Sequence, residues 1–258
     1  MHIPDGYLSP LTALPFVALM VPIWGTAVKK VKEKLKKKDI PVLSIGAAFS
    51  FTIMMFNLPM PGGSSAHAVG AVLLAVLLGP WAACLGVSVA LVIQALIFGD
   101  GGILAIGANC FNMAFVMPMV GYYVYRLLKG KADALSKRAL LAAALAGYIG
   151  INMAALCTAL EFGTQYQLFQ AADGTPLYFM YPLKVAIAAM MSEHLVIAGP
   201  VEQPMAGSGS TYNPFPLGAD RLGNGFWRMG LRSARRRSWV CTCGAGPDGR
   251  FMAVRSPV

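Results

Sequence analysis

Residues 66–98, AHAVGAVLLAVLLGPWAACLGVSVALVIQALIF, contain no aspartate, glutamate, lysine or arginine. A helix needs about 20 apolar residues to cross a bilayer, so this stretch is too long for one crossing. It breaks at Gly79-Pro80, where proline removes a backbone donor and favours a turn. The predicted element is a tight helical hairpin, with crossings over 66–80 and 81–98. The rest of the chain has the same character: 57% of its 258 residues are hydrophobic and only 12% are charged, against roughly a quarter in soluble domains.

Working outward, further apolar runs lie at 11–28, 40–57, 103–128, 139–160 and 183–202. The expected fold is an all-α, polytopic transmembrane helical bundle of about seven spans. The segment KKVKEKLKKK, 29–38, carries seven lysines, and RLLKGKADALSKR, 126–138, carries five basic residues. Basic loops stay on the cytoplasmic side. The alternate loops, 58–65, 99–102 and 161–182, hold no lysine or arginine. These counts place the N-terminus outside and the C-terminus in the cytoplasm of a multi-pass cell-membrane protein. The net charge of +10 then reflects one membrane face; without a basic patch interleaved with aromatics, nucleic acid is not an expected partner. Cys84, Cys110, Cys157, Cys241 and Cys243 have no framework spacing, and say little about redox compartment.

No positively charged segment precedes the first apolar run and no small-residue cleavage site follows it, so residue 1 is expected to stay the terminus. That terminus reads MHIPDG. An α-amine, the residue-2 amide nitrogen and the His2 Nδ1 can close two fused chelate rings around one ion, three nitrogens in a plane. Neutral imidazole is the commonest protein metal ligand, and the topology brings His67 to the same face as fourth donor. A square of nitrogens suits Ni(II), Cu(II) or low-spin Co(II), and suits tetrahedral Zn(II) poorly. The ordinary reading of a histidine at position 2 is an exposed side chain. Against it, the chain has only three histidines, two of them on this face, and His67 follows a PGGSS turn whose glycines allow close backbone approach.

The stretches MHIPDGYLSP at 1–10, MPGGSSAHAVG at 60–70 and GDGGILAIGANCFNMAF at 99–115 resemble the CbiM/NikM family, the substrate-capture (S) components of cobalt/nickel energy-coupling-factor (ECF) transporters. The resemblance covers about residues 1–202. It implies a metal site of Met1, His2 and His67, with Co(II) or Ni(II) as transported ligand and no resident cofactor. It also implies partners: a transmembrane coupling (T) subunit, two cytoplasmic ATPase subunits and, optionally, a small accessory membrane protein. The chain has no G-x-x-x-x-G-K-[ST] loop of its own, so ATP hydrolysis would belong to those partners. Binding requires the amine and imidazoles to shed protons, so affinity is expected to fall from about pH 8 to 6, around their reference pKa values.

Four residues are candidates for support around that site. Asp100, in GDGG, can attract a cation or orient His67, though it reads equally as a solvated turn residue. Asp5 is a turn former that can also fold the terminus over the site. Ser64 and Ser65 can hydrogen-bond the terminal strand or stabilise the turn. Asn109 and Asn112 lie three apart and read as packing between helices, as does the Ala142, Ala146, Gly150 stripe, whose partner is either internal or the coupling subunit. Glu193 and His194 interrupt an apolar run, and are either functional or a self-paired structural couple.

After Glu202 the composition changes. Residues 1–202 contain eleven lysines and two arginines, whereas 203–258 contain eight arginines and no lysine. The chain is accordingly divided into a transmembrane metal-binding domain, 1–202, and a divergent Arg/Gly/Pro-rich tail, 203–258, disordered or read from a shifted frame. Two other functions compete: a metal-independent membrane scaffold or assembly subunit, and a membrane metal-dependent hydrolase. The second is disfavoured because no H-E-x-x-H pattern occurs and a filled square leaves no position for water; an enzyme is not expected.

Overall fold

The computed structural model describes residues 1–60 and 64–211, with the side chains of 60, 64 and 209–211 left aside. The Pro-Gly-Gly turn at 61–63, the side chain of Ser64, and the tail from 212, with Cys241 and Cys243, lie outside the described residues. What is described is a helical bundle. In chain order it comprises α1 (Pro10–Lys34), α2 (Ile40–Met54), α3 (Ala71–Leu78), α4 (Pro80–Ile93), α5 (Ile106–Asn109), α6 (Met117–Lys129), α7 (Lys137–Leu168), α8 (Leu183–Glu193) and α9 (Gly199–Thr211).

Local chemistry explains the ends of these helices. Ser9 caps α1 by accepting from Thr12 N at 3.2 Å, and Pro10 takes the first helical position, where its missing N–H costs nothing. The predicted hairpin forms: Gly79, at φ +91°, separates α3 from α4, and Pro80 starts α4. At the N-terminus of α3 the cap comes from far away in sequence. Glu202 of α9 accepts from Val69 N at 2.9 Å and Gly70 N at 3.0 Å, a carboxylate set against the unpaired N–H groups of a helix start. The expected division at residue 202 falls inside α9, and residues 203–211 continue that helix.

Among the described residues, four helices are long and apolar enough to cross a membrane: Pro10–Lys34, Pro80–Phe98, Lys137–Leu168 and Leu183–Ser208. Of the other expected crossings, 40–57 contains the 15-residue α2, 66–80 the 8-residue α3, and 103–128 a helical run unbroken over 106–129. Outward-facing positions such as Leu11, Val21, Ile45, Leu127 and Val196 are apolar and exposed, a surface suited to hydrocarbon.

Two features depart from a plain α-helical reading. Residues Leu58–Met60 (β1) and Ser64–Ala66 (β2) pair antiparallel, with Pro59 opposite Ser65. Pro59 cannot donate a ladder hydrogen bond and sits in a short two-stranded element, where proline is tolerated. Wide π-helical turns occupy Gln94–Phe98 after α4, Cys110–Val116 between α5 and α6, and His194–Ala198 between α8 and α9.

Small residues let the helices approach. The Ala142, Ala146, Gly150 stripe of α7 is turned inward: a Cβ on Gly150 would lie 2.8 Å from Val72 Cγ2 of α3 and 3.0 Å from the Met117 carbonyl of α6. The same logic governs α1 against α5, where a Cβ on Gly107 would meet Val17 N at 2.4 Å. That neighbour is backbone and cannot rotate away. Gly107→Ala is therefore expected to destabilise by about 1–3 kcal/mol through overpacking. Gly25→Ala, with open space at its Cβ, should leave stability unchanged or slightly raised; thermal melting in detergent separates the two.

Candidate metal site

The first four residues form a strand of chain outside any helix or sheet, held against Gln94, Asn109 of α5 and Ser65 of β2. Ile3 is held by its backbone. Its N–H donates to Asn109 Oδ1 at 2.8 Å, Asn109 Nδ2 donates back to the Ile3 carbonyl at 3.1 Å, and Gly102 N donates to the same carbonyl at 2.8 Å. Asp5 clasps the 99–105 loop, its carboxylate accepting from Leu104 N at 2.9 Å and Ile103 N at 3.1 Å. The loop can come this close because Gly102 has no side chain: a Cβ there would lie 2.3 Å from Asp5 Oδ1.

Threading buries the terminus. Met1 is 1% exposed, and its amine donates to the carbonyl of Ser65 and, at 3.2 Å, to the Ser65 hydroxyl. Pro59, opposite Ser65, has no N–H to compete for that carbonyl. The His2 and His67 rings stack with centroids 4.5 Å apart and planes 20° apart. His67 Nδ1 lies 3.2 Å from the Ala68 carbonyl. A carbonyl only accepts, so Nδ1 carries the proton and Nε2 presents a lone pair; Nε2 is buried with no hydrogen-bond partner. His2 Nε2 lies 3.2 Å from Gln94 Oε1, and its Nδ1 makes no hydrogen bond, although Asp100 Oδ1 is 3.3 Å away.

Burial sets the charge of these nitrogens. Desolvation lowers the Met1 amine to about 5, opposed by the carboxylates of Glu193 and Asp100. His2 falls to about 3, mainly by burial and then by the neighbouring amine, and His67 falls well below its ordinary value for the same two reasons. Asp100 is pushed upward by its partial burial. All three nitrogens are therefore neutral at pH 7, and the pH window of 8 to 6 expected from reference values moves down. A neutral amine that donates two N–H groups to Ser65 keeps its lone pair. Among the described residues, no group of three His, Cys, Asp or Glu side chains is placed to hold a metal, so a metal at this position would draw on main-chain nitrogen.

The structure thus brings Met1, His2, His67, Ser65 and Asp100 together, while Asp5 turns to the backbone of Ile103 and Leu104. Asp100 faces His2 rather than His67. Asn112 packs between helices, donating to Thr158 Oγ1 at 3.1 Å and Glu161 Oε2 at 2.9 Å of α7, whereas Asn109 holds the terminal strand. His194 Nδ1 turns to the Met190 carbonyl at 2.8 Å within its own helix. Gln94 and Glu202 escaped the sequence reading. Gln94 had a signal, since it is the one amide in the 66–98 run; Glu202 had none, because its partners are backbone groups.

Comparisons with known proteins bear on the family and the fold. The family model described as "Cobalt uptake substrate-specific transmembrane region" matches residues 2–207. Over 204 residues, 78% of this chain, the sequence is 55% identical to a protein of Lactiplantibacillus plantarum named "Probable fused nickel transport protein LarMN", and covers 61% of it. Over 202 residues, also 78% of this chain, it is 54% identical to the "Fused nickel transport protein NikMN" of Rhodobacter capsulatus, covering 58%. The chain thus spans about three fifths of the length of these relatives. A crystal structure of a truncated transition metal transporter superposes with a TM-score of 0.77 at 58% identity, covering 81% of this chain and 95% of that one.

Asn109→Ala removes both side-chain hydrogen bonds to Ile3. At a net contribution of about 1 kcal/mol each, the amine should react about tenfold faster or more with an acylating reagent at pH 7. Mass spectrometry of the N-terminal peptide measures the rate; an unchanged rate would show that Asn109 does not hold the strand down.

Proposed function

Since the chain belongs to the CbiM family, we propose that it is the substrate-binding subunit of an ATP-driven uptake transporter for divalent cobalt or nickel. It captures the ion with the Met1 amine, the His2 amide and Nδ1, and the His67 Nε2. One observation carries the reading: a buried, neutral amine sits beside two stacked imidazoles, each with an unpartnered nitrogen at the edge that the chelate requires. Closing the square turns the rings from face-to-face to edge-on around the ion. Asp5 and Ser65 hold the strand that carries the donors, and Asp100 adds negative charge at the mouth.

The proposed setting is a prokaryotic cell membrane crossed about seven times, with the N-terminus outside and the basic loops in the cytoplasm. The metal-binding part is residues 1–202, and the arginine-rich tail is given no role in capture. The proposed partners are a membrane coupling subunit, two cytoplasmic ATPases and a small accessory membrane protein. The extra length of relatives named as fused transport proteins supports a function exercised with other components. No hydrolytic role is proposed, since four nitrogens in a square leave no position for an attacking water.

Adding one glycine ahead of Met1 displaces the amine and breaks the fused rings. Calorimetry with nickel should show high-affinity binding lost in the extended protein and in His2→Ala and His67→Ala, with membrane insertion intact. Unchanged binding by the extended protein sinks the chelate.

The acidity of the donors gives a second test. With the amine at about 5 and His2 at about 3, only the amide proton leaves on binding near neutrality. Affinity should then fall about tenfold per pH unit from 8 to 6, one proton per ion, and more steeply only below about 5, where the amine takes up its proton. Two or more protons released across that interval would mean an amine that is exposed and charged.

A further inference from the structure

His2 can carry its ring proton on either nitrogen, and only one of the two forms is a chelator. With the proton on Nε2, the Nδ1 lone pair faces the ion. With the proton on Nδ1, that nitrogen donates to Asp100 Oδ1, 3.3 Å away, and the chelate cannot close. Asp100 alone favours the wrong form, because a carboxylate accepts hydrogen bonds and cannot donate them.

Gln94 opposes it. Its side chain is fully buried, with Oε1 3.2 Å from His2 Nε2 and Nε2 donating to the Phe51 carbonyl at 3.3 Å. Phe51 stands in the last turn of α2, where carbonyls have lost their intrahelical partners; Met55 N turns instead to Thr52 and Ile53. A carbonyl only accepts, so the NH₂ end of Gln94 must face Phe51. Its oxygen end must then face His2. Flipping the amide would set Gln94 Oε1 against the Phe51 oxygen, two acceptors with no proton between them. The Met55 sulfur, 3.8 Å from Gln94 Nε2, also favours the unflipped form.

We infer that Gln94 is a positioning residue for metal capture: anchored on the Phe51 carbonyl, it holds His2 in the Nε2–H tautomer, leaving the Nδ1 lone pair for the ion. The same π-helical turn supplies the opposing group, since Asp100 N donates to the Gln94 carbonyl at 3.1 Å. The groups on either side of the His2 ring, Gln94 at Nε2 and Asp100 at Nδ1, thus come from one short stretch of backbone. With Nε2 protonated, His2 Nδ1 and the Asp100 carboxylate face each other as two acceptors, a gap that a cation relieves.

This inference rests on the proposed chelate but is measured before any metal is added. Nitrogen-15 NMR of histidine-labelled, metal-free protein at pH 7.5 should show His2 as the Nε2–H tautomer and His67 as Nδ1–H. Gln94→Met keeps the length of the side chain and removes the acceptor. It should move His2 toward Nδ1–H, leave His67 unchanged, and weaken nickel binding about 10–100-fold, the usual effect of removing a partner of a ligating histidine. Gln94→Glu, kept protonated by burial, can donate to the Phe51 carbonyl while its other oxygen accepts from His2, and should preserve both the Nε2–H form and nickel binding. In the Gln94→Met background, Asp100→Asn removes the carboxylate that captures the wrong form, and should return His2 toward Nε2–H.

An Nδ1–H signal for His2 in the wild type overturns the inference whatever the variants do. So does a tautomer that Gln94→Met leaves unmoved. If His2→Ala abolishes nickel binding while Gln94→Met leaves both affinity and tautomer unchanged, this inference alone falls. If His2→Ala binds nickel normally, the chelate falls while the tautomer result stands.

Discussion

A chain terminus is normally charged and wet, and here it is dry. Taking an ammonium out of water is costly enough that the group sheds its proton instead, which is why the Met1 amine is neutral near pH 7. Much of the structure around Met1 serves that single constraint. Ser65 accepts the amine's protons, Asn109 and Gly102 satisfy the Ile3 backbone, and Asp5 closes the 99–105 loop over the strand. Backbone partners leave the lone pairs of the amine and both imidazoles unspent, where side-chain ion pairs would consume them.

The helices reach this strand through irregularities. An extra residue in a helical turn shifts the side chains beyond it relative to those before it. Gln94 opens one such wide turn and touches His2; Asn109 immediately precedes another and holds Ile3; His194 opens the third, near enough to act on the charge of His67. Two of these turns thus stand where a polar side chain, Gln94 or Asn109, meets the terminal strand. Glu202 completes the arrangement from α9, fixing the amides of Val69 and Gly70 two and three residues beyond His67.

How much of this was legible follows from the range of each interaction. The hairpin at Gly79-Pro80 was visible because its cause is local: a missing N–H beside a glycine in the left-handed region. The same holds for the long apolar helices. Met1, His2 and His67 could be grouped from the sequence because a chelate constrains spacing along the chain and the loop charges set the two segments on one expected face; the structure brings the three side by side. Asn109 looked like interhelical packing, as its neighbour Asn112 is, because nothing in the sequence shows that a main-chain strand will lie against it. The β1–β2 pairing was hidden by the shortness of the strands, and Glu202 by partners that are amides with no sequence signature.

On the proposed chelate, the surrounding charges account for how a buried site would discriminate a metal from a proton. Burial penalises any cation entering, while the carboxylates of Glu193 and Asp100 favour any cation at the amine. Neither effect is selective by itself. The difference lies in the number of donors each cation engages: a proton takes one lone pair, and a divalent ion in the proposed square takes four at once. The desolvation penalty is then spread over four bonds, and ionising the His2 amide removes one unit of the ion's charge. A proton gains from one of these nitrogens only and bears the penalty alone, which is why the amine releases it at about 5. The carboxylates can therefore draw cations toward the terminus without filling the site with protons, provided the donors are already neutral and aimed before the ion arrives. Fixing the ring proton of His2 on the nitrogen that faces Gln94 is part of that preparation.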